Sequence, residues 1–257
     1  MPSLPSPFTD LGQEFVEVHV GKKLKMFVGH KKLICAKSEY FKKAFTSGFI
    51  ESEGVMFMPE DTSGTFALFV EWLYRDTIRD CDSPQAFFNL HNFYIFAEKI
   101  CEQHLTNLIS DAIRGALYTH IPAFAPALTA YVYSRTAEKS PLRQLCLRSL
   151  VYSLWARDDD RTLRNRMPSR KGLESLFPFL AKEKDLFVDY FEATKYSQSL
   201  EVRDLAEHPS DITGCAFHSH ATGEDCYLQD EETVHIVYWV LPFDTETETI
   251  EKYMESE

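Results

Sequence analysis

The sequence predicts an α+β chain: a small β-sheet flanked by a helical bundle, then a mostly helical extension, then a small β-rich C-terminal segment. Three observations carry that prediction. Phe15-Val16-Glu17-Val18-His19-Val20 alternates apolar and polar residues, the period of a half-buried strand. Phe66, Phe69, Val70, Leu73 and Tyr74 recur at i, i+3, i+4, i+7 and i+8, the spacing of a buried helical face. The chain holds 20 Phe but only 10 Gly, a balance that favours packed helices over a loop-rich fold.

Taken in order, the first strand ends at Gly21, and Leu24-Lys25-Met26-Phe27-Val28 reads as its hairpin partner across the turn Gly21-Lys22-Lys23. The period then changes. Leu33, Ala36, Tyr40, Phe41, Ala44 and Phe45 are spaced for one or two short helices, with Ser38 as N-cap of the second. Val55-Met56-Phe57-Met58 is a third strand closed by Pro59, and Ser63 is placed to cap the helix that bears Phe66 to Tyr74. Residues 84–118 hold two helices, one marked by Phe87, Leu90, Tyr94 and Ala97, the other by Leu105, Leu108, Ile109, Ala112 and Ala116.

Beyond Ile121-Pro122 the helical pattern resumes from about 124 to 135 and from 141 to 156. Residues 157–171 are polar and read as a flexible connector, with Asp158-Asp159-Asp160 between Arg157 and Arg161 as a solvated run rather than an ion site. Two short helices follow, 173–181 and 183–196. Val234 to Val240 is β-rich, and Thr245 to Glu257 is a polar end.

Charge divides the chain unevenly. The net charge is −12, yet residues 1–200 carry 25 Lys and Arg against 24 Asp and Glu, whereas residues 201–257 carry 2 against 15. An acidic field of that kind repels phosphate backbones, so direct nucleic-acid binding is not expected; the simplest role for the segment is a solvated, solubilising one. Six Cys in a chain of this composition do not suggest a disulfide scaffold. The Pro-containing residues 1–12 lack the apolar run of a signal peptide, and no stretch approaches the roughly 18–20 apolar residues of a membrane span. The expected location is cytoplasmic or nuclear.

His30-Lys31-Lys32-Leu33-Ile34-Cys35-Ala36-Lys37-Ser38-Glu39-Tyr40-Phe41 resembles the BTB/POZ signature: a His-Lys pair, a Leu two positions on, then Ser-x-Tyr-Phe. The match continues through Gly48-Phe49-Ile50-Glu51-Ser52 and Met58-Pro59-Glu60-Asp61 to Phe66-Ala67-Leu68-Phe69-Val70-Glu71-Trp72-Leu73-Tyr74, and looks like the type common in filamentous fungi. It divides the chain into a BTB/POZ domain at 13–118, a helical extension at 119–200 and an acidic C-terminal segment at 201–257. Leu33, Tyr40, Phe41, Phe66, Phe69, Leu73 and Tyr74 read as core, and His30 as a satisfied residue at a strand–helix junction rather than a catalytic one.

The resemblance implies assembly: self-association or a protein partner, with a cullin-type ubiquitin ligase as one candidate. The partner surface of such adaptors would fall here on Phe45, Phe49, Tyr74, Ile78 and Asp80, with Phe49 as a hot spot. Where adaptors often carry an apolar-x-Glu tripeptide, this chain has Ile78-Arg79-Asp80. Where many members have Ser-Asp before the first strand, it has Gln13-Glu14. The short N-terminal stretch argues against dimerisation by swapping.

One constellation outside the domain carries chemistry. Cys215, His218, His220 and Cys226 place two thiols and two imidazoles within twelve residues, a donor set suited to tetrahedral Zn²⁺ although the C-x2-H-x-H-x5-C spacing is not that of the common zinc finger. His218 and His220 would share one face of a strand, Gly214 and Gly223 would permit the turns, and Glu224 and Asp225 are near enough to support the ligands. The plain alternative is reduced Cys and ordinary surface His. Four protein ligands leave no open position, so a metal here is structural.

No nucleophile elbow, P-loop or G-x-G-x-x-G occurs. The sequence therefore points to a protein-interaction protein and not an enzyme, with no catalytic residues assigned. The alternatives are a zinc-dependent hydrolase and a transcriptional co-regulator that contacts DNA only indirectly.

Overall fold

The computed structural model describes residues 11–48, 50–155, 170–195, 209, 212, 214–220 and 224–227. The chain separates into two compact units, Met1–Arg79 with Phe96–Glu102, and Asp80–Ile95 with Gln103–Glu257.

The first unit is built on a three-stranded mixed sheet. Strands β1 (Phe15–Val20) and β2 (Lys25–His30) form an antiparallel hairpin, and β3 (Val55–Met58) pairs parallel to β1, giving the order β2-β1-β3. The expected second strand starts one residue late, because Leu24 belongs to the turn. Its N–H donates to the Gly21 carbonyl (2.9 Å), and both residues adopt positive φ, 77° at Gly21 and 48° at Leu24. Alternation sorts the side chains as the sequence pattern requires: Val16, Val18, Val20, Met56 and Met58 are buried on the inner face.

Helices α1 (Lys31–Lys37), α2 (Glu39–Thr46) and α3 (Ser63–Arg75) supply the rest of that core. Phe41, Phe66 and Phe69 are buried, and the Phe69 ring packs at 5.3 Å from Phe41 and 5.4 Å from Phe96. Ser38 stands at the N-cap position of α2 as expected, yet its hydroxyl makes no capping bond. The cap of α3 is Thr62 and not Ser63: the Thr62 Oγ1 accepts from the Thr65 N–H at 3.0 Å, the N-cap-to-N3 geometry that satisfies an orphan helix donor.

The second unit is helical. It contains residues 84–95 of α4 (Pro84–Lys99), together with α5 (Gln103–Tyr133), α6 (Pro141–Trp155), α7 (Arg170–Lys182) and α8 (Lys184–Lys195). The helix expected to end before Ile121-Pro122 and the one expected at 124–135 are a single 31-residue helix, α5. Proline disfavours a helix interior by removing a donor and crowding the preceding turn, but the apolar register continues across it, with Leu105, Ile109 and Ile113 before and Leu128 and Val132 after all buried.

Arg170 and Lys171, placed in the connector by their polarity, open α7; the remainder of that connector lies outside the described residues, as do Val234 to Val240 and Thr245 to Glu257. Ala130, Tyr133, Leu150, Val151, Leu176, Leu186 and Tyr190 form one cluster that joins α5, α6, α7 and α8. At its edge the buried Arg143 donates to Asp185 (3.0 Å) and to the Tyr133 carbonyl (2.8 Å), while the Tyr133 hydroxyl donates to Asp189 (2.8 Å).

Candidate functional site

Two places bear on function. The first is the surface of the sheet-and-helix unit. Pairing sets Glu17 opposite Val28 and Val55, and His19 opposite Met26 and Phe57, so all of these share the outer face with Phe15. That face is apolar: Phe15, Met26, Val28, Val55 and Phe57 are all exposed, Phe57 at 58 %. His19 stacks on Phe57 at 4.9 Å and lies 3.5 Å from Glu17, leaving one small polar island among them.

The residues expected at a partner surface fare unequally. Phe45 is buried at 1 % exposure against Phe41, so its side chain belongs to the core and offers a partner nothing. Phe49 lies outside the described residues. Tyr74 is half-buried, and its hydroxyl is engaged: it donates to His30 Nδ1 (2.7 Å) and accepts from the His30 N–H (3.2 Å). His30 is thereby the satisfied junction residue the sequence suggested. Ile78 is half-buried and Asp80 exposed, in the irregular stretch after Asp76, whose φ of 59° ends α3 in the left-handed region.

The second place is the Cys/His segment. Cys215, His218, His220 and Cys226 each present one donor atom, and the four atoms lie within 4.8 Å of one another. Gly214, with φ of 72°, leads into the turn as expected, and Gly223 lies outside the described residues. The two histidines do not share a strand. A turn closed by the His218 N–H on the Cys215 carbonyl (3.1 Å) precedes irregular backbone at 218–220. The rings stand 5.8 Å apart and 66° to each other.

His218 is buried and fully oriented. Its Nδ1 faces the Cys226 sulfur at 3.4 Å, and its Nε2 bonds Asp111 of α5 at 3.0 Å. Burial opposes charge on this imidazole, but the bonds to Asp111 and Cys226 and their negative charges outweigh it and raise its pKa. Burial likewise works to raise the Asp111 pKa, and is outweighed by bonds from His218 and Tyr227 and by the nearby positive charges, so the carboxyl is held below its usual range. Tyr227 donates to the other Asp111 oxygen at 2.5 Å. The Cys215 thiol is pushed up to about 11, first by its hydrogen bond with Cys226, then by burial and by the charges of Cys226 and Asp111.

The segment is fastened to α5 by a polar stripe that sequence reasoning passed over. The Asn107 amide accepts from the Ser219 N–H and donates to the Ser219 carbonyl, each at 2.9 Å. Ser110 donates to the Phe217 carbonyl at 3.0 Å, and Arg114 donates to the Ile212 carbonyl and lies over the Phe217 ring. Asn107, Ser110, Asp111 and Arg114 follow i, i+3, i+4 and i+7. Polar residues at that spacing form one stripe along the helix, and polar groups that become buried require partners. Glu224 and Asp225 are exposed, and the carboxylate bonded to His218 Nε2 is that of Asp111 in α5.

Residues 10–109 match the family model of the BTB/POZ domain. A comparison with curated proteins finds no match to the chain. The chain thus carries a BTB/POZ domain, a protein-interaction domain that is generally non-enzymatic, and the mixed sheet with its helices is the α+β fold expected. Among the described residues no helix is long and apolar enough to cross a membrane.

Proposed function

Because residues 10–109 form a BTB/POZ domain, we propose that this chain is a scaffold that binds a partner protein through the outer face of its sheet. The observation that carries the reading is the exposure together of Phe15, Met26, Val28, Val55 and Phe57 on one side of three paired strands. Apolar side chains scattered singly are ordinary on a protein surface; a contiguous set on one sheet face marks an interaction site. Aromatic and Met side chains are also the residue types enriched at interfaces.

The partner is another protein or a second copy of the chain. Affinity capture with the wild type and with a Met26→Glu/Phe57→Glu double variant tests the face, alongside light scattering for self-association. Both side chains point outward, so the variant retains its fold. Loss of captured partners, or of a dimer, supports the reading; an unchanged partner set and oligomeric state refutes it.

A second reading, a substrate adaptor of a cullin-type ubiquitin ligase, rests on the family resemblance and meets a departure at Ile78-Arg79-Asp80 after α3, where the shorter Asp80 stands exposed in place of the adaptor tripeptide's Glu. Direct binding of a cullin by the wild type, abolished by Ile78→Asp, is the result it requires. No binding by the wild type removes the adaptor reading and leaves the scaffold reading standing.

A further inference from the structure

We propose that Cys215, His218, His220 and Cys226 bind one structural Zn²⁺ that fastens residues 214–220 and 224–227 to helix α5, with Asp111 as the residue that positions His218. The proposal is independent of which partner the BTB/POZ domain takes.

Donor chemistry comes first. Two thiolates and two imidazoles form a borderline-soft set of four, the usual composition of closed zinc sites. The Zn–S and Zn–N bonds run about 2.3 Å and about 2.0–2.1 Å, so donors of a tetrahedral site stand roughly 3.3–3.8 Å apart. The His218 Nδ1 to Cys226 Sγ separation of 3.4 Å falls in that range, and all four donors lie within 4.8 Å, a spread that small side-chain rotations close. Among the described residues this is the one group of such donors so gathered.

Orientation comes second, and it carries the argument. A zinc-bound histidine offers one nitrogen to the metal and donates its other N–H to a carboxylate or carbonyl, which fixes its tautomer and direction. His218 is arranged in that way: Nδ1 turns toward the cluster while Nε2 donates to Asp111 Oδ1 at 3.0 Å. The Asp111 carboxylate is held in turn by Tyr227 and by Arg114 at 3.1 Å. His220 supplies the remaining observation. Its Nε2 is buried and has no hydrogen-bond partner. An orphaned buried nitrogen costs free energy unless something meets its lone pair or proton, and a cation held by the three neighbouring donors does so.

The segment also needs such a tie. Among its described residues Phe217 is the one large, fully buried side chain, and Asn107 and Ser110 of α5 hold its backbone by hydrogen bonds. With so little apolar area, a metal crosslink replaces the missing core. Four protein donors leave no position for water, so the site is structural and not hydrolytic.

The test uses the full-length protein, purified reduced and supplied with zinc alone. Elemental analysis is expected to find one zinc per chain. Cobalt substitution is expected to give the intense visible absorption of a tetrahedral thiolate site. Cys226→Ser and His220→Ala each lose the metal, and His220→Ala, at a half-buried position, serves where Cys226→Ser fails to fold. Asp111→Asn retains the cobalt spectrum but binds zinc about 10–100-fold more weakly in competition with a chromophoric chelator, which a merely structural role for Asp111 would not produce. Absence of zinc in the reduced protein overturns the proposal. So does unchanged zinc affinity in His220→Ala, or a Cys215–Cys226 disulfide in protein isolated under thiol-blocking conditions.

Discussion

The sheet-and-helix unit and the Cys/His segment are held by opposite means. In the first, Val16, Val18 and Val20 on one side and Phe41, Phe66, Phe69 and Phe96 on the other remove apolar surface from water, and no single contact is indispensable in kind. In the second, Phe217 is the large buried side chain among the described residues, and the work falls to directed bonds between Asn107, Ser110, Asp111 and Arg114 and a few backbone and side-chain atoms. Apolar packing is non-directional and cumulative; polar anchoring is directional and fails one bond at a time. The two regions should therefore break differently, the first as a whole and the second by local release.

The largest effect is expected at the centre of the apolar unit. Phe69 is fully buried among Phe41, Phe66, Trp72 and Phe96. Phe69→Ala should cost about 3–5 kcal/mol in denaturant unfolding, by lost transfer free energy and the cavity left behind. A cost below ~1 kcal/mol would show that the aromatic cluster can collapse around the gap.

Next in size is a pH effect from one polar group inside apolar packing. His91 is buried in α4, where its Nδ1–H donates to the Phe87 carbonyl at 2.8 Å, and burial pulls its pKa down from 6.5 to about 4. The unfolded chain takes up this proton first. Stability is thus full above about pH 6.5, falls as pH drops through the window to about 4, and changes no further on this account below it. The gap corresponds to about 3 kcal/mol. Urea unfolding from pH 4 to 7 checks it, and His91→Gln should flatten that slope; an identical slope in the variant assigns the pH dependence to other groups.

The segment should yield locally. Asn107→Ala leaves the Ser219 N–H and carbonyl without partners, about 2 kcal/mol, or roughly 30-fold in the opening equilibrium. Hydrogen exchange at the Ser219 amide should accelerate by that factor while the midpoint of global unfolding stays put. A matching drop in global stability would mean that the segment is part of the cooperative core after all.

The smallest effect distinguishes two neighbours. Thr62→Ala should cost about 1 kcal/mol through the lost cap of α3, whereas Ser63→Ala should be near neutral, since the bond to the Thr65 N–H comes from Thr62. Equal costs in thermal unfolding would place the cap one residue later than the structure does.

Much of this was readable from local pattern. The alternation at 15–20 and the helical face from Phe66 to Leu73 are properties of consecutive residues, and side-chain period follows from backbone geometry. The Cys/His set was visible because its four members lie within twelve residues. What misled was also local. Ile121-Pro122 read as a break, yet packing on both sides carries α5 through it. Phe45, expected at the partner surface, is core, because a helix's own sequence does not say which of two apolar stripes meets a neighbour; Phe41 and the rest of the core decided it.

By itself, then, the sequence determined most of the elements, the BTB/POZ signature and the four Cys/His residues of the C-terminal cluster, because each is encoded in residue type at short spacing. Only the tertiary structure decided that β3 runs parallel to β1, so that five apolar side chains share an open face. Only the tertiary structure, again, brought Asp111 to His218 across 107 positions of chain. Both are matters of which distant segments meet, and that is settled by the summed burial and hydrogen bonding of the whole fold rather than by the preferences of any one stretch.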